Sequence, residues 1–295
     1  MMKKVLQRSA LAVAAVLALG ACSAVKLGYN NSASIAHTYL INKVEFEPQQ
    51  EVLLKTSLTA LVAWHRQYEL PVLALELSKA RDILAPKNGV VQPISIDQLR
   101  EVNQVLRDSL RRTADQVAPA MARNLLGLYP NQIQDIQRQL DKSNDDYRED
   151  RLAANTQQQW IENTERTVSR FERWLGKLTP QQRERIEQWA RSNAQNAQAN
   201  YDRRLARQQE FMNLVTLAAN RQIDQASLSR ELSVLLNRWQ TPVTALEARQ
   251  AKTRQEQALS MTVDVLNLAS PKQRANAAKE AQQWANDFTI LYEQT

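Results

Sequence analysis

The sequence predicts an all-α fold, on three observations. Beyond the N-terminal leader the 295-residue chain has glycine at Gly28, Gly89, Gly127 and Gly176 alone, and strand-rich folds need many more turn residues than that. The remainder is rich in Gln, Ala, Leu, Arg and Glu, residues that lose little freedom in a helix. Pro48, Pro71, Pro119, Pro130, Pro180, Pro242 and Pro271 stand where helices start or bend.

The leader has the three zones of a secretory signal: the cations Lys3, Lys4 and Arg8, the apolar run from Ala10 to Leu19, and then Leu19-Gly20-Ala21-Cys22. The apolar run is too short to span a bilayer, which takes about 20 residues. Leu19, Gly20, Ala21 and Cys22 resemble the lipobox of bacterial lipoproteins. The resemblance implies that residues 1–21 are a cleaved signal peptide, that Cys22 is acylated, and that residues 22–32 form a lipid-anchored tether. Several acyl chains hold a protein stably on a membrane where one does not. Ser23, a residue other than Asp after the cysteine, is similar to the pattern of lipoproteins held at the outer membrane and facing the periplasm. Cys22 is the one cysteine, so an intramolecular disulfide and a thiolate metal site are both excluded. Of the formal charge of +7, three cations belong to the leader. The mild excess that remains argues for no nucleic-acid partner.

A first helix is expected from Ala33 to Val44. Pro48 opens a second, running to Glu69 and bending or restarting at Pro71 toward Leu84, and residues 86–93 form a loop. Ser95 with Gln98 is a capping box, opening a helix that passes Pro119 with a kink and ends by Gly127. Residues 33–127 form an N-terminal helical half and 128–295 a C-terminal one. In the latter, Leu128-Tyr129-Pro130-Asn131-Gln132, Leu178-Thr179-Pro180-Gln181-Gln182 and Ser270-Pro271-Lys272-Gln273 form a degenerate repeat, read as three ordinary helix starts.

From Asn131 to Leu175 no glycine or proline intervenes, and Ile133, Leu140, Tyr147, Ala154, Ile161, Val168 and Leu175 recur every seven residues. The second seam position turns polar in the middle, at Ser143, Asp150, Gln157 and Thr164. This reads as one long coiled-coil-like helix, capped by Gly176. A second long helix from Pro180 to Asn220 folds back on it as an elongated antiparallel hairpin over residues 131–222. Its facing residue numbers should sum to about 357, placing Asp150 near Arg207. Helices from Gln225 to Trp239, Pro242 to Leu268 and Pro271 to Tyr292 close the chain.

Sites of chemistry are sparse. Serine-hydrolase, phosphate-loop and H-E-x-x-H patterns are absent from the sequence, so no catalytic, cofactor-binding or metal-ligating residue is assigned. His37 and His65 have no visible partner. Trp64, His65, Arg66 and Tyr68 form a candidate interaction patch on a helix. Asp145, Asp146, Glu149 and Asp150 read as a charged helix face, because helical carboxylates offer few of the six to eight oxygens that calcium takes. The six tryptophans are scattered singly, as packing anchors are.

Leu27-Gly28-Tyr29-Asn30-Asn31, Ala63-Trp64-His65-Arg66 with Leu70-Pro71, Asn144 through Asp150, and Trp174-Leu175-Gly176-Lys177-Leu178-Thr179-Pro180 resemble an uncharacterised family of proteobacterial lipoproteins, of the DUF6279 type. The resemblance implies localisation and no activity. Leu178-Thr179-Pro180-Gln181-Gln182 is also similar to the Leu-Thr-x-x-Gln motif of small periplasmic chaperones. The expectation is a non-enzymatic envelope protein, bound to the membrane by its lipid, that binds a protein partner as scaffold or chaperone. The alternative is an enzyme on an envelope substrate, which would need His65 against a carboxylate in a pocket.

Overall fold

A computed structural model describes residues 24–86, 89–152, 156–193, 197–238, 242 and 244–294, and every regular element among them is an α-helix. Leu19, Gly20, Ala21 and Cys22 lie outside the described residues, as do Trp239 and Ala154. The helices are α1 (Ala24–Asn30), α2 (Ser32–Ile41), α3 (Pro48–Tyr68), α4 (Leu70–Leu84), α5 (Ile96–Leu125), α6 (Pro130–Arg151), α7 (Thr156–Leu175), α8 (Pro180–Asn193), α9 (Ala197–Ala219), α10 (Gln225–Leu236), α11 (Ala245–Asn267) and α12 (Pro271–Glu293).

Boundaries follow local chemistry. Ser95 Oγ accepts from the Gln98 N–H while Gln98 Oε1 accepts from the Ser95 N–H, closing the capping box that opens α5. Gly176, at φ +76°, ends α7 in the left-handed conformation a side chain resists. The expected tether is helical from Ala24, because Asn31 and Ser32 side chains donate to the carbonyls of Leu27 and Tyr29 and bridge α1 into α2.

Within the expected single helix over 131–175, α6 ends at Arg151 with Leu152 as its cap and α7 begins at Thr156, and after Pro180 come α8 and α9; residues 153–155 and 194–196 between these helices lie outside the described residues. The expected register also differs. Tyr147 stacks on Tyr201 with ring centroids 5.6 Å apart, Asn144 donates to Gln208 at 2.7 Å, and the Arg191 guanidinium lies 4.4 Å from the Trp160 ring. Facing numbers thus sum to about 350 rather than about 357. Among the described residues Asp150 and Arg207 form no ion pair. Arg204 takes the position instead, donating to Asn144 Oδ1 at 2.8 Å and Ser143 Oγ at 2.7 Å.

Two cores hold the array. Ala118 and Ala122 of α5 meet Val215 and Ala218 of α9 and Leu228 and Leu232 of α10, all fully buried. Alanine here lets the helix axes approach closely. The second core gathers Val168 and Leu175 of α7, Ile186 of α8, Met261 and Val265 of α11 and Ala277 of α12. The broadest helix–helix contact joins α4 to α12. Along α12, Ala277, Ala278, Ala281 and Ala285 are buried on one stripe. Trp174 and Trp284 touch at 5.9 Å where α7 meets α12.

The repeated helix starts prove to be more than ordinary. Among the described residues, four helices open with Pro at the first position and Gln at the third: Gln50, Gln132, Gln182 and Gln273. Each glutamine Oε1 accepts from the backbone N–H just before its proline, at 2.8 to 2.9 Å. The amides then pair across the fold. Gln50 and Gln132 donate to each other at 3.1 and 2.6 Å, and Gln182 and Gln273 at 3.4 and 3.0 Å. Each Nε2 also reaches a carbonyl next to the partner helix: Gly127, Glu45, Val265 and Lys177 respectively. Four helix starts are so locked in two reciprocal pairs, with each amide's acceptor and donor satisfied.

Candidate functional site

The patch on α3 splits on folding. Trp64 and Tyr68 touch each other, rings 5.8 Å apart, and Tyr68 is exposed. His65 and Arg66 instead turn to α1. The Tyr29 hydroxyl lies 2.9 Å from His65 Nδ1, Arg66 donates to Asn30 Oδ1 at 2.8 Å, and its guanidinium lies 5.5 Å from the Tyr29 ring. One turn on, Glu69 is 1% exposed and accepts both bonds of the Arg112 fork, each 2.8 Å. Neither Tyr29, Glu69 nor Arg112 was singled out by the sequence as part of a site, because each meets its partner across 36 or 43 residues.

The electrostatics describe a closed strap. Burial pushes the Tyr29 hydroxyl up to about 12, against the nearby Arg66 charge. Burial also lowers His65, which the Glu69 charge partly offsets. Burial would raise Glu69, but hydrogen bonds from Arg112 and Ser109, the Arg112 charge and the His65 charge together hold it below the ordinary carboxylate range. Glu69 is therefore an ionised anchor engaged on both oxygens. A general base needs a free lone pair aimed at substrate. His65 lines none of the cavities described below. The constellation ties α1 to α3 and α3 to α5.

A different feature is shaped for a ligand. An apolar cavity of about 510 Å³ opens between α2, α3, α5, α6 and α9. Leu54, Leu58 and Leu61 of α3, Met121 and Leu125 of α5, Ile136 and Leu140 of α6 and Phe211 of α9 line it. Lys43, Lys142 and Asp146 are the charged residues of the lining. Its size falls within the range of ligand pockets, about 300–1,000 Å³, and its lining has their apolar character. The lining comes from five helices, so no local sequence pattern marks it.

Beside it, Asp146, Asp150 and Glu162 share a mixed-charge cavity of about 420 Å³ with Arg151, Arg166 and Arg204. Asp145 pairs with Arg148 on the helix itself. Among the described residues no group of three His, Cys, Asp or Glu is placed to hold a metal ion.

Fold and site together define an all-helical protein with an apolar cleft, in which the pair of Glu69 and Arg112 serves structure. The chain belongs to a family of unknown function, DUF6279, whose model matches residues 42–242. That span runs from just before α3 through α10 and holds the Glu69–Arg112 pair and most of the cleft. No curated protein and no solved structure matches the chain.

Proposed function

We propose that this chain is a lipid-anchored, periplasm-facing envelope protein that binds an apolar segment of a partner polypeptide in the α2–α3–α5–α6–α9 cleft, without catalysis. The observation that carries the reading is the cleft itself: a large apolar concavity of the kind that receives one face of an amphipathic helix. Charge in its lining narrows the occupant. A free fatty acid would bring one carboxylate to a lining that holds Asp146 as well as Lys43 and Lys142. A polypeptide offers both charges and apolar side chains.

The anchor is supported by the lipobox ending at Cys22 and by the surface that follows it. The exposed positions from Leu27 to Asn42 hold no acid, lysine, arginine or histidine, and Leu27, Ile35 and Tyr39 stand 65, 59 and 64% exposed. An uncharged outward stripe with a tyrosine is suited to lie against lipid headgroups. No helix among the described residues is long and apolar enough to cross a membrane.

The experiment places the full chain in lipid vesicles and measures binding of a permanently unfolded, carboxymethylated polypeptide. Binding is expected for the unsubstituted chain and lost in Leu58→Glu, which puts a charge on the cleft wall. Uptake of a fluorescent fatty acid without polypeptide binding would refute the reading. The anchor is judged separately: Cys22→Ser should abolish incorporation of labelled palmitate.

A further inference from the structure

A second cavity, of about 350 Å³, lies among α7, α8, α9 and α11 and the end of α6. Four of its lining side chains are arginines: Arg151, Arg166, Arg170 and Arg254. No carboxylate lines it. Trp189 and Asn200 complete the parts of the wall that matter here.

Some arginines on this molecule are answered by acids, as Arg100 is by Asp97 and Glu256 and Arg183 by Glu165 and Glu172. Here the answer is incomplete. Arg166 has Glu162 at 3.5 Å, and Asp150 borders the adjoining cavity. Arg151, Arg170 and Arg254 have no ion pair among the described residues. Burial, and then the neighbouring Arg203 charge, push the Arg254 guanidinium below its ordinary range. Four arginines from three helices line one concavity, and Arg254 has the like charge of Arg203 beside it as well. An arrangement of that kind costs stability when empty and gains it when an anion sits at its centre. Guanidinium forks match the oxygens of a phosphoryl group two at a time.

We propose that this cavity is a binding site for a phosphate group, distinct from the apolar cleft. Two sources carry that chemistry in reach of an envelope protein: inorganic phosphate and the headgroup of an anionic phospholipid. The site stands whether or not the cleft binds polypeptide, since the two share no lining residue.

The test follows the thermal unfolding midpoint of the full chain in vesicles of phosphatidylcholine. Inorganic phosphate is added in one arm, and in another phosphatidylglycerol replaces part of the phosphatidylcholine. Sodium chloride of equal ionic strength is the control. The midpoint is expected to rise with phosphate or with phosphatidylglycerol, and which of the two acts identifies the source. The rise should shrink in Arg254→Gln and in Arg170→Gln, the latter at an exposed position where folding is not at stake. Without added anion, Arg254→Gln should unfold at or above the parent midpoint, because the buried charge and its repulsion with Arg203 are gone. The proposal is overturned if sodium chloride matches phosphate, if neither anion acts, or if both variants keep the full response.

Discussion

Glu69 shows how one side chain's worth depends on its partner. The carboxylate is buried and both its oxygens are held by Arg112, which is itself 39% exposed. Removing the exposed partner strands the buried charge, whereas removing both leaves little to compensate. Arg112→Ala should therefore lower unfolding stability by about 3 kcal/mol, the low end for breaking a buried pair, since water reaches the arginine. The double variant Glu69→Leu with Arg112→Ala should lose less than Arg112→Ala alone. Denaturant unfolding of the three chains reads this directly; equal losses in single and double variants would show that the pair acts through packing rather than charge. His65 makes a second residue-scale prediction. Its folded pKa lies below the unfolded value of 6.5, so the unfolded chain takes the proton first as pH falls. Its contribution is then fully present above about pH 6.5 and is lost on acidification below it. Glu69 acts in the same direction at lower pH, below 4.5. The unfolding midpoint should fall from neutral pH toward pH 5 in the parent and less steeply in His65→Gln, which keeps an acceptor for the Tyr29 hydroxyl. The residues of this strap were partly legible. The Tyr29 and His65 motifs both stood out in the sequence, but nothing local says that they touch, and Glu69 reads as any helix-end carboxylate until α5 covers it.

Helix starts were the most legible elements, because Pro and a capping residue fix φ and the first N–H groups without help from the rest of the fold. The same signals concealed their larger role. The glutamine at the third position reads as half of a local cap, and its other half, the amide facing another helix start 82 or 91 residues away, has no sequence signature. Gln182 is fully buried, and Gln182→Leu takes away the acceptor for the Thr179 N–H, the donor to Val265, and both bonds to Gln273. A loss of about 3 kcal/mol is expected. Adding Gln273→Leu should cost less than a second loss of that size, because the stranded amide goes with it. Urea unfolding of the single and double variants checks this, and strict additivity would mean the amides cap independently. The end of α6 at Arg151 was illegible for the opposite reason, since no Gly or Pro marks it.

Across the whole molecule, the all-α class followed from composition, since five glycines cannot supply the turns of a sheet. Which helices touch did not follow. The α4–α12 and α5–α10 contacts are set by stripes of alanine and leucine that any of several helices carries. The apolar cleft is likewise a product of assembly: Leu58, Met121 and Phe211 read as core residues, and they line an open cavity because α2, α3, α5, α6 and α9 stop short of closing over them.

The pairing of Gln182 with Gln273 and the seating of α12 on α4 also fix an order in time. Contacts between distant parts of a chain form late, after their loops have closed. A chain that emerges N-terminus first presents α4 long before residues 271–293 exist to cover it. Until then the amide of Gln182 lacks its partner, the stripe of α4 faces water, and Lys26 of α1 waits for Asp287. The last helix is therefore the one that closes the structure, and a chain cut short before Pro271 would leave the surfaces of α1, α3, α4 and α7 open.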